Sequence, residues 1–309
     1  MIPFSENSYS LHIAMRGFFC YNTLRSVATP GRQFICTFLS LSKTGTAARG
    51  ISFPLVCGFA FCKVSFFLEF FMKALVLFSG GLDSSVCLGL AVREYGAGEV
   101  LALSILYGQK HRKELEASER VASFYGVEHV TLDLGEIFRG SSCALLESSE
   151  EEIPHGSYAE QLAGSQGAPV STYVPFRNGL FLSSAAAVAL SRGCEVIYYG
   201  AHADDAAGSA YPDTSEAFNR AISDAVSIGS GNALRICAPF IHRPKSAVVA
   251  AGLEMGVPFE LTWSCYEGRD RACGVCGTCR DRISAFLENG LKDPIEYETE
   301  EEQYTCRMN

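Results

Sequence analysis

Ser79-Gly80-Gly81-Leu82-Asp83-Ser84-Ser85 constrains this chain more than any other stretch. It follows the apolar run Lys73-Ala74-Leu75-Val76-Leu77-Phe78 and precedes an apolar pattern of helical period, Asp83–Tyr95. A buried strand thus feeds a glycine turn, and the turn opens a helix. The first amides of a helix have no partner within it, and the helix dipole adds partial positive charge there. Such a turn is an anion site. Gly80 and Gly81 let the backbone approach an anion that a β-carbon would block. Ser79, Ser84 and Ser85 add hydroxyl donors, with Phe78 and Leu82 completing the contact segment. The simpler reading of the same residues is a serine-capped helix after a glycine turn. No lysine follows the glycines, so the stretch is not a Walker loop, and it is not G-x-G-x-x-G either.

Composition sets the outer bounds. The chain has 309 residues, 48% of them hydrophobic, enough for one large α/β domain or two small ones. Its net charge of −9 argues against broad nonspecific nucleic-acid binding. That charge is unevenly spread: residues 1–71 carry +4 and the remainder −13. Residues 1–71 also hold 12 of the 21 Phe and four of the 13 Cys, with no clear strand or helix period. The apolar run from Ile51 to Phe71 contains Pro54, Lys63 and Glu69, which makes a poor membrane span. No apolar core near the start marks a secretory signal. Met72 directly precedes the first strand, so residues 1–71 are expected to be a non-native or leader extension with little ordered structure. An organelle transit or anchoring segment is the alternative.

From Lys73 onward strands and helices alternate. The expected strands are 73–78, 100–107, 128–134, 195–200 and 234–239. The expected helices are 83–95, about 112–125, 177–191, 215–228 and 245–255. Between 136 and 171 lies a long polar stretch, expected to be a lid or partly disordered. Short βα units in series imply a doubly wound α/β fold, a parallel sheet covered on both faces. Ligands in such folds bind at the carboxyl ends of the strands. The expected organisation is an α/β domain over 72–258 and a cysteine-rich segment over 259–309 packing on it.

Cys265, Cys273, Cys276 and Cys279 form C-x7-C-x2-C-x2-C. Three cysteines three residues apart pair poorly as disulfides. Four thiolates at this spacing suit a closed tetrahedral Zn2+ site, structural and not catalytic. An iron–sulfur cluster is the rival, although Arg280 stands where the ferredoxin run continues. The other cysteines after Met72 are scattered, as buried free thiols in a reducing cytoplasm would be.

The S-G-G-x-D-S pattern resembles the PP-loop of the ATP pyrophosphatase superfamily, which cleaves ATP between its α- and β-phosphates. Four further segments sharpen the resemblance: Tyr107-Gly108-Gln109-Lys110-His111, Val174-Pro175-Phe176-Arg177-Asn178, Ser209-Ala210-Tyr211-Pro212-Asp213 and Thr262-Trp263-Ser264-Cys265-Tyr266. Together with the cysteine knot they resemble the QueC/ExsB family of queuosine biosynthesis, over essentially Met72 to Leu291. The resemblance implies an adenine nucleotide alpha-hydrolase-like, Rossmann-like fold. It also implies ligation of 7-carboxy-7-deazaguanine with ammonia to 7-cyano-7-deazaguanine, using ATP with Mg2+ and one Zn2+ per chain. It further implies a cytoplasmic homodimer.

On that resemblance Ser79, Asp83, Ser84, Arg177 and Lys245 are the expected catalytic set around the phosphates. Asp83 either helps hold Mg2+ or caps its helix. Arg177 neutralises phosphate charge, and Lys245 adds a point charge or is an ordinary exposed lysine. Tyr211 and Asp213, then Asp204 with Asp205, are the expected substrate contacts, a surface aspartate turn being the alternative. Asn178 reads as a helix cap. His111 and His202 read as loop histidines able to move protons. Two other functions fit parts of the pattern. A PP-loop tRNA-thiolating enzyme would need a basic groove, which the −13 balance disfavours. A non-catalytic nucleotide-binding zinc-knot regulator would not need an intact loop with Arg177 and Lys245. No nucleic-acid or membrane partner is expected.

Overall fold

The computed structural model describes residues 33–37, 52–56, 72–164, 169–204 and 211–299. The chain divides into two compact units, Met1–Leu68 and Glu69–Asn309. In the first, β1 (Gln33–Thr37) and β2 (Ser52–Val56) pair antiparallel, Gln33 opposite Val56. This pair lies in the stretch expected to hold little ordered structure.

The second unit is built on five parallel strands. These are β3 (Ala74–Leu77), β4 (Val100–Leu106), β5 (Glu128–Asp133), β6 (Val196–Tyr198) and β7 (Arg235–Cys237). Their spatial order is β5-β4-β3-β6-β7. The chain leaves β3 outward to β4 and β5, then returns to lie β6 on the other side of β3. The direction of winding therefore reverses at β3, and the crevice at its carboxyl end is the ligand position of such sheets.

Strand alternation divides the core into two faces. Leu75, Leu101, Leu103 and Ile197 meet α4 (Arg177–Ser191) and α5 (Glu216–Gly229). Ala74, Val76, Val100 and Val196 meet α1 (Leu82–Tyr95), α2 (Lys113–Tyr125), α6 (Lys245–Met255) and α7 (Gly277–Glu288). Both faces are covered, so the central strands are almost wholly apolar, with Ser104 the polar exception in β4. Most expected elements sit within two residues of their observed bounds. The polar stretch holds one helix the periodicity did not show, α3 (Tyr158–Gly164). It starts on a capping box: Ser157 N–H donates to Glu160 Oε2 at 2.7 Å, and Glu160 N–H donates to Ser157 Oγ at 3.3 Å. Among the described residues no helix is long and apolar enough to cross a membrane.

Candidate active site

The loop after β3 is curled by its own serines. Ser79 N–H donates to Ser84 Oγ at 3.2 Å, Gly81 N–H donates to Ser79 Oγ at 3.2 Å, and Ser84 Oγ donates to the Gly81 carbonyl at 3.1 Å. No side chain caps the first turn of α1, whose N-cap is Gly81. The plain serine-capped reading therefore does not describe this turn. Its roots are held from both sides. Ser104 Oγ donates to the Phe78 carbonyl at 2.7 Å, and Trp263 N–H donates to the Gly80 carbonyl at 3.0 Å.

Two glycines are required here, and one of them for a reason the sequence reading did not give. Gly80 has φ +82°, and a β-carbon on it would lie 2.4 Å from Ser118 N and 2.5 Å from the Glu114 carbonyl. Its bareness serves packing on α2. Gly200, beyond β6, would bring a β-carbon within 2.9 Å of Asp83 C, so it lets β6 approach the start of α1.

An open cleft lies at the carboxyl ends of β3, β4 and β6. Phe78, Ser79, Gly81, Asp83 and Ser84 line it, with Arg177, Tyr211 and Lys245. Ser85 does not: it is fully buried in α1, and its Oγ has no hydrogen-bond partner among the described residues. Leu82 points into the core, leaving its backbone amide as what it can offer a ligand.

Half-buried Asp83 and buried Lys245 form one unit. Lys245 Nζ donates to Asp83 Oδ2 at 2.9 Å and lies 3.3 Å from His202 Nε2. Lys245 is only 7% exposed, so it is no ordinary surface lysine. Burial opposes ionisation of Asp83, but Lys245 and His202 outweigh it and hold the carboxyl below its usual range. Asp83 Oδ1 has no hydrogen-bond partner among the described residues, with His202 Nε2 3.7 Å away. Asp83 does not cap its helix by a side-chain bond. His202 belongs to this unit, whereas His111 packs under the backbone of Cys265 and Tyr266, its pKa lowered by burial.

Two expected substrate contacts are engaged elsewhere. Asp204 Oδ2 accepts from Lys245 N–H at 2.8 Å, serving the first turn of α6, whose N-cap Pro244 has no capping side chain. Asp213 is buried, and its Oδ2 accepts from Asn178 N–H at 2.8 Å, serving the first turn of α4. Neither lines the cleft. Both helices open next to the cleft, and each carboxylate satisfies one amide of its helix's first turn. Asp205, Ser209 and Ala210 lie outside the described residues.

The wall facing the loop is aromatic and cationic. Arg177 opens α4 after Phe176, which sits in the left-handed region at φ 54°, ψ 28°. For a bulky side chain this conformation is strained. It is held by the bond from Phe176 N–H to Tyr173 Oη at 2.9 Å and by ring packing on Phe218. The Arg177 guanidinium packs against Tyr107, its Cζ 5.5 Å from that ring's centroid. Burial opposes its charge, but the oxygens of Tyr107, Tyr266, Tyr211 and Asp213 prevail and raise its pKa. Tyr211 Oη lies 2.7 Å from Thr172 Oγ1 and 3.3 Å from Tyr266 Oη, which is 3.0 Å from Tyr158 Oη. Burial raises all three phenols, so they are neutral hydrogen-bonding groups.

Tyr107, Glu114, Tyr158 and Tyr266 also line the cleft and were not assigned roles from sequence. For Tyr158 the signal was the Ser157–Glu160 capping box. Glu114 is one of several acids on a charged helix, and nothing local distinguishes it. In the cleft wall, burial pushes its carboxyl up to about 7 against the lowering influence of Arg177.

The four cysteines converge as expected. Their sulfurs all lie within 4.8 Å of one another, and all four residues are buried. Backbone N–H groups of Glu267 and Cys273 donate to Cys265 Sγ at 3.4 and 3.3 Å, and Cys276 N–H donates to Cys273 Sγ at 3.4 Å. Such bonds favour thiolates, and soft donors closed in a tetrad fit Zn2+ or an iron–sulfur cluster. The knot is tied to the cleft. Gly156 N–H donates to the Val275 carbonyl at 3.1 Å, seating α3 and Tyr158 on it. Arg282, wholly buried in α7, donates to Asp293 Oδ2 at 2.6 Å and Oδ1 at 3.0 Å. It also donates to Thr262 Oγ1 at 2.7 Å and Ser264 Oγ at 3.3 Å, on either side of the Trp263 amide that holds Gly80.

Residues 73–290 match the family described as Queuosine biosynthesis protein QueC. A 7-cyano-7-deazaguanine synthase of Pseudoalteromonas atlantica is 41% identical over 229 residues, covering 73% of this chain and 99% of that protein. One of Archaeoglobus fulgidus is 43% identical over 225 residues, covering 72% of this chain and 90% of that protein. A third, of Caldicellulosiruptor bescii, is 40% identical over 229 residues, covering 74% of this chain and 99% of that protein. The matched segment contains the curled loop, the Asp83–Lys245 pair, the Arg177 wall and the cysteine tetrad, and the chain belongs to the QueC family.

Proposed function

We propose that this cleft converts 7-carboxy-7-deazaguanine, ammonia and ATP to 7-cyano-7-deazaguanine by two rounds of adenylation. The observation that carries the reading is the uncapped Gly81 turn sharing one cleft with two cations, Arg177 and Lys245, and a wall of neutral phenols. A carboxylate does not react with ammonia at neutral pH. Attack of its oxygen on the α-phosphate expels pyrophosphate and makes that oxygen part of a leaving group. The first-turn amides of α1 and the hydroxyls of Ser79 and Ser84 hold the departing pyrophosphate. Arg177 holds the α-phosphate oxygens, where negative charge builds. Ammonia then displaces AMP to give the amide. A second adenylation, on the amide oxygen, permits loss of AMP and protons to the nitrile. Both rounds place AMP on an oxygen of the same carbon, so one loop serves both.

Asp83 Oδ1, which accepts no hydrogen bond among the described residues, is where Mg2+ bound to the ATP phosphates would be held, neutralising their charge. The tetrad of Cys265, Cys273, Cys276 and Cys279 would hold one Zn2+ that fixes the knot. Tyr211 supplies substrate contact, joined by Tyr158 and Tyr266, which offer ring faces and hydroxyls to a flat heterocycle. The acidic balance of the chain after residue 71 supports a small-molecule substrate without nucleic acid, and its scattered thiols support a cytoplasmic site. Homodimerisation follows from the family resemblance alone. The test is purified protein with ATP, Mg2+, ammonia and the carboxy-deazaguanine, read by mass spectrometry. Nitrile with AMP and pyrophosphate is the expected result. Pyrophosphate release that requires tRNA would contradict it.

A further inference from the structure

We propose that Glu114 is the catalytic base that takes the proton from the nitrogen during amide formation and again during nitrile formation. The inference rests on the function proposed above and adds a residue to it.

Both nitrogen steps release protons. When ammonia's lone pair forms the C–N bond, the C–O bond to AMP breaks, AMP leaves with that electron pair, and the nitrogen sheds one N–H proton. After the second adenylation the nitrogen sheds two more as its C–N bond becomes triple and the second C–O bond breaks. The phosphate-binding residues are poorly suited to accept them. Lys245 and Arg177 are cations, and Asp83 is held ionised by Lys245 and His202.

Glu114 is placed for the task. It stands in the first turn of α2 and lines the cleft. The charged and titratable groups facing it are the Arg177 guanidinium from α4 and the Tyr107 phenol at the end of β4. If Arg177 holds the α-phosphate, the adenylated carbon is one oxygen away from it, and a carboxylate facing Arg177 is within reach of the nitrogen. Among the described residues the Glu114 carboxylate accepts no hydrogen bond, unlike Asp204 and Asp213 at their helix starts. Burial raises it to about 7, which matches a base that must accept a proton at neutral pH and release it between rounds.

The test uses the full chain and Glu114→Gln, a near-isosteric change. Two readouts are compared: carboxy-deazaguanine-dependent exchange of labelled pyrophosphate into ATP, and nitrile turnover. Exchange reports adenylation and an intact fold. It is expected to stay within about 3-fold of the parent, while turnover falls by about 100-fold or more, the usual worth of a general base. The parent's kcat should rise with pH through about 7, and the variant should lose that rise. Hydroxylamine, a nucleophile that sheds its proton more readily, should restore part of the variant's turnover as hydroxamate. Glu114→Asp should keep intermediate activity with the pH rise intact. Turnover of Glu114→Gln within a few-fold of the parent overturns the assignment. So does a raised KM for the carboxy-deazaguanine at unchanged kcat, which would make Glu114 a recognition residue. Loss of exchange together with turnover in both Glu114→Gln and Glu114→Asp also overturns it, because the residue would then be structural. If the parent itself gives neither exchange nor nitrile, the proposed function fails, and this inference with it.

Discussion

Replacing Arg282 by Met tests how the cysteine knot is joined to the anion loop. Arg282 and Asp293 both have fully buried side chains, and the guanidinium grips both carboxylate oxygens. Removing one partner of a buried pair costs about 3–5 kcal/mol, because a buried charge is left uncompensated. Here the lower end applies. Asp293 keeps Tyr297 Oη at 2.6 Å and Ile295 N–H at 3.2 Å as donors. The Phe259 carbonyl also keeps the Thr262 hydroxyl at 2.7 Å. About 3 kcal/mol is expected, or a fall in Tm of roughly 6–12 °C for a unit of this size. Thr262 and Ser264 lose their common donor, so the Trp263 amide on Gly80 should loosen and KM for ATP should rise. Circular dichroism melts and initial rates against ATP measure both. Arg282→Met/Asp293→Asn removes the stranded charge and should recover most of the lost stability. A single variant within about 1 kcal/mol of the parent, or a double variant no better than the single, refutes the reasoning.

Further outcomes follow from the site geometry. Lys245→Met removes a charge-assisted bond worth about 1.5–3 kcal/mol, so KM for ATP should rise about 10-fold or more, read by pyrophosphate release. Cys276→Ser, or a chelator applied to the native protein, should lower Tm and raise KM for the deazaguanine more than KM for ATP. The reason is that Tyr158 is seated on the knot through Gly156 and Val275. Elemental analysis of the same samples should show Zn2+ in the parent and less in the variant. Glu114 bears on stability as well. Its folded pKa of about 7 lies above its ordinary value, so the native state holds a proton that the unfolded chain has already lost. Ionising Glu114 in the folded protein therefore lowers stability as pH rises toward about 7, and the loss is complete above it. The Tm of Glu114→Gln relative to the parent should thus grow from pH 5 to pH 7 and then level. A difference that stays constant with pH contradicts this.

The fold was legible because a parallel sheet writes itself into sequence. Buried strands such as Leu75–Leu77 and Val100–Leu103 are continuous apolar runs, and the helices between them have clear ends. The anion loop was legible because glycines, serines and an acid stand at fixed offsets between a strand and a helix. The cysteine tetrad was legible because its spacing leaves few alternatives. What resisted reading depended on distant neighbours. Asp204 and Asp213 look like ligands in a polar segment, but each meets an amide 41 or 35 residues away at a helix start. Gly80 looks like a phosphate glycine, yet α2 is what leaves no room for its β-carbon. Glu114 differs from Glu116 and Glu119 only in facing Arg177, a residue on another helix. No local pattern encodes a cleft wall assembled from α2, α4 and the knot.

The central claim is that one loop adenylates the same carbon twice, and oxygen labelling tests it directly. Carboxy-deazaguanine with both carboxylate oxygens as 18O is turned over with ATP and ammonia, and the AMP is analysed by mass spectrometry. Each round should move one labelled oxygen onto AMP, giving two singly labelled AMP molecules for every nitrile formed. Unlabelled AMP, or label appearing in inorganic phosphate alongside ADP, would contradict the account.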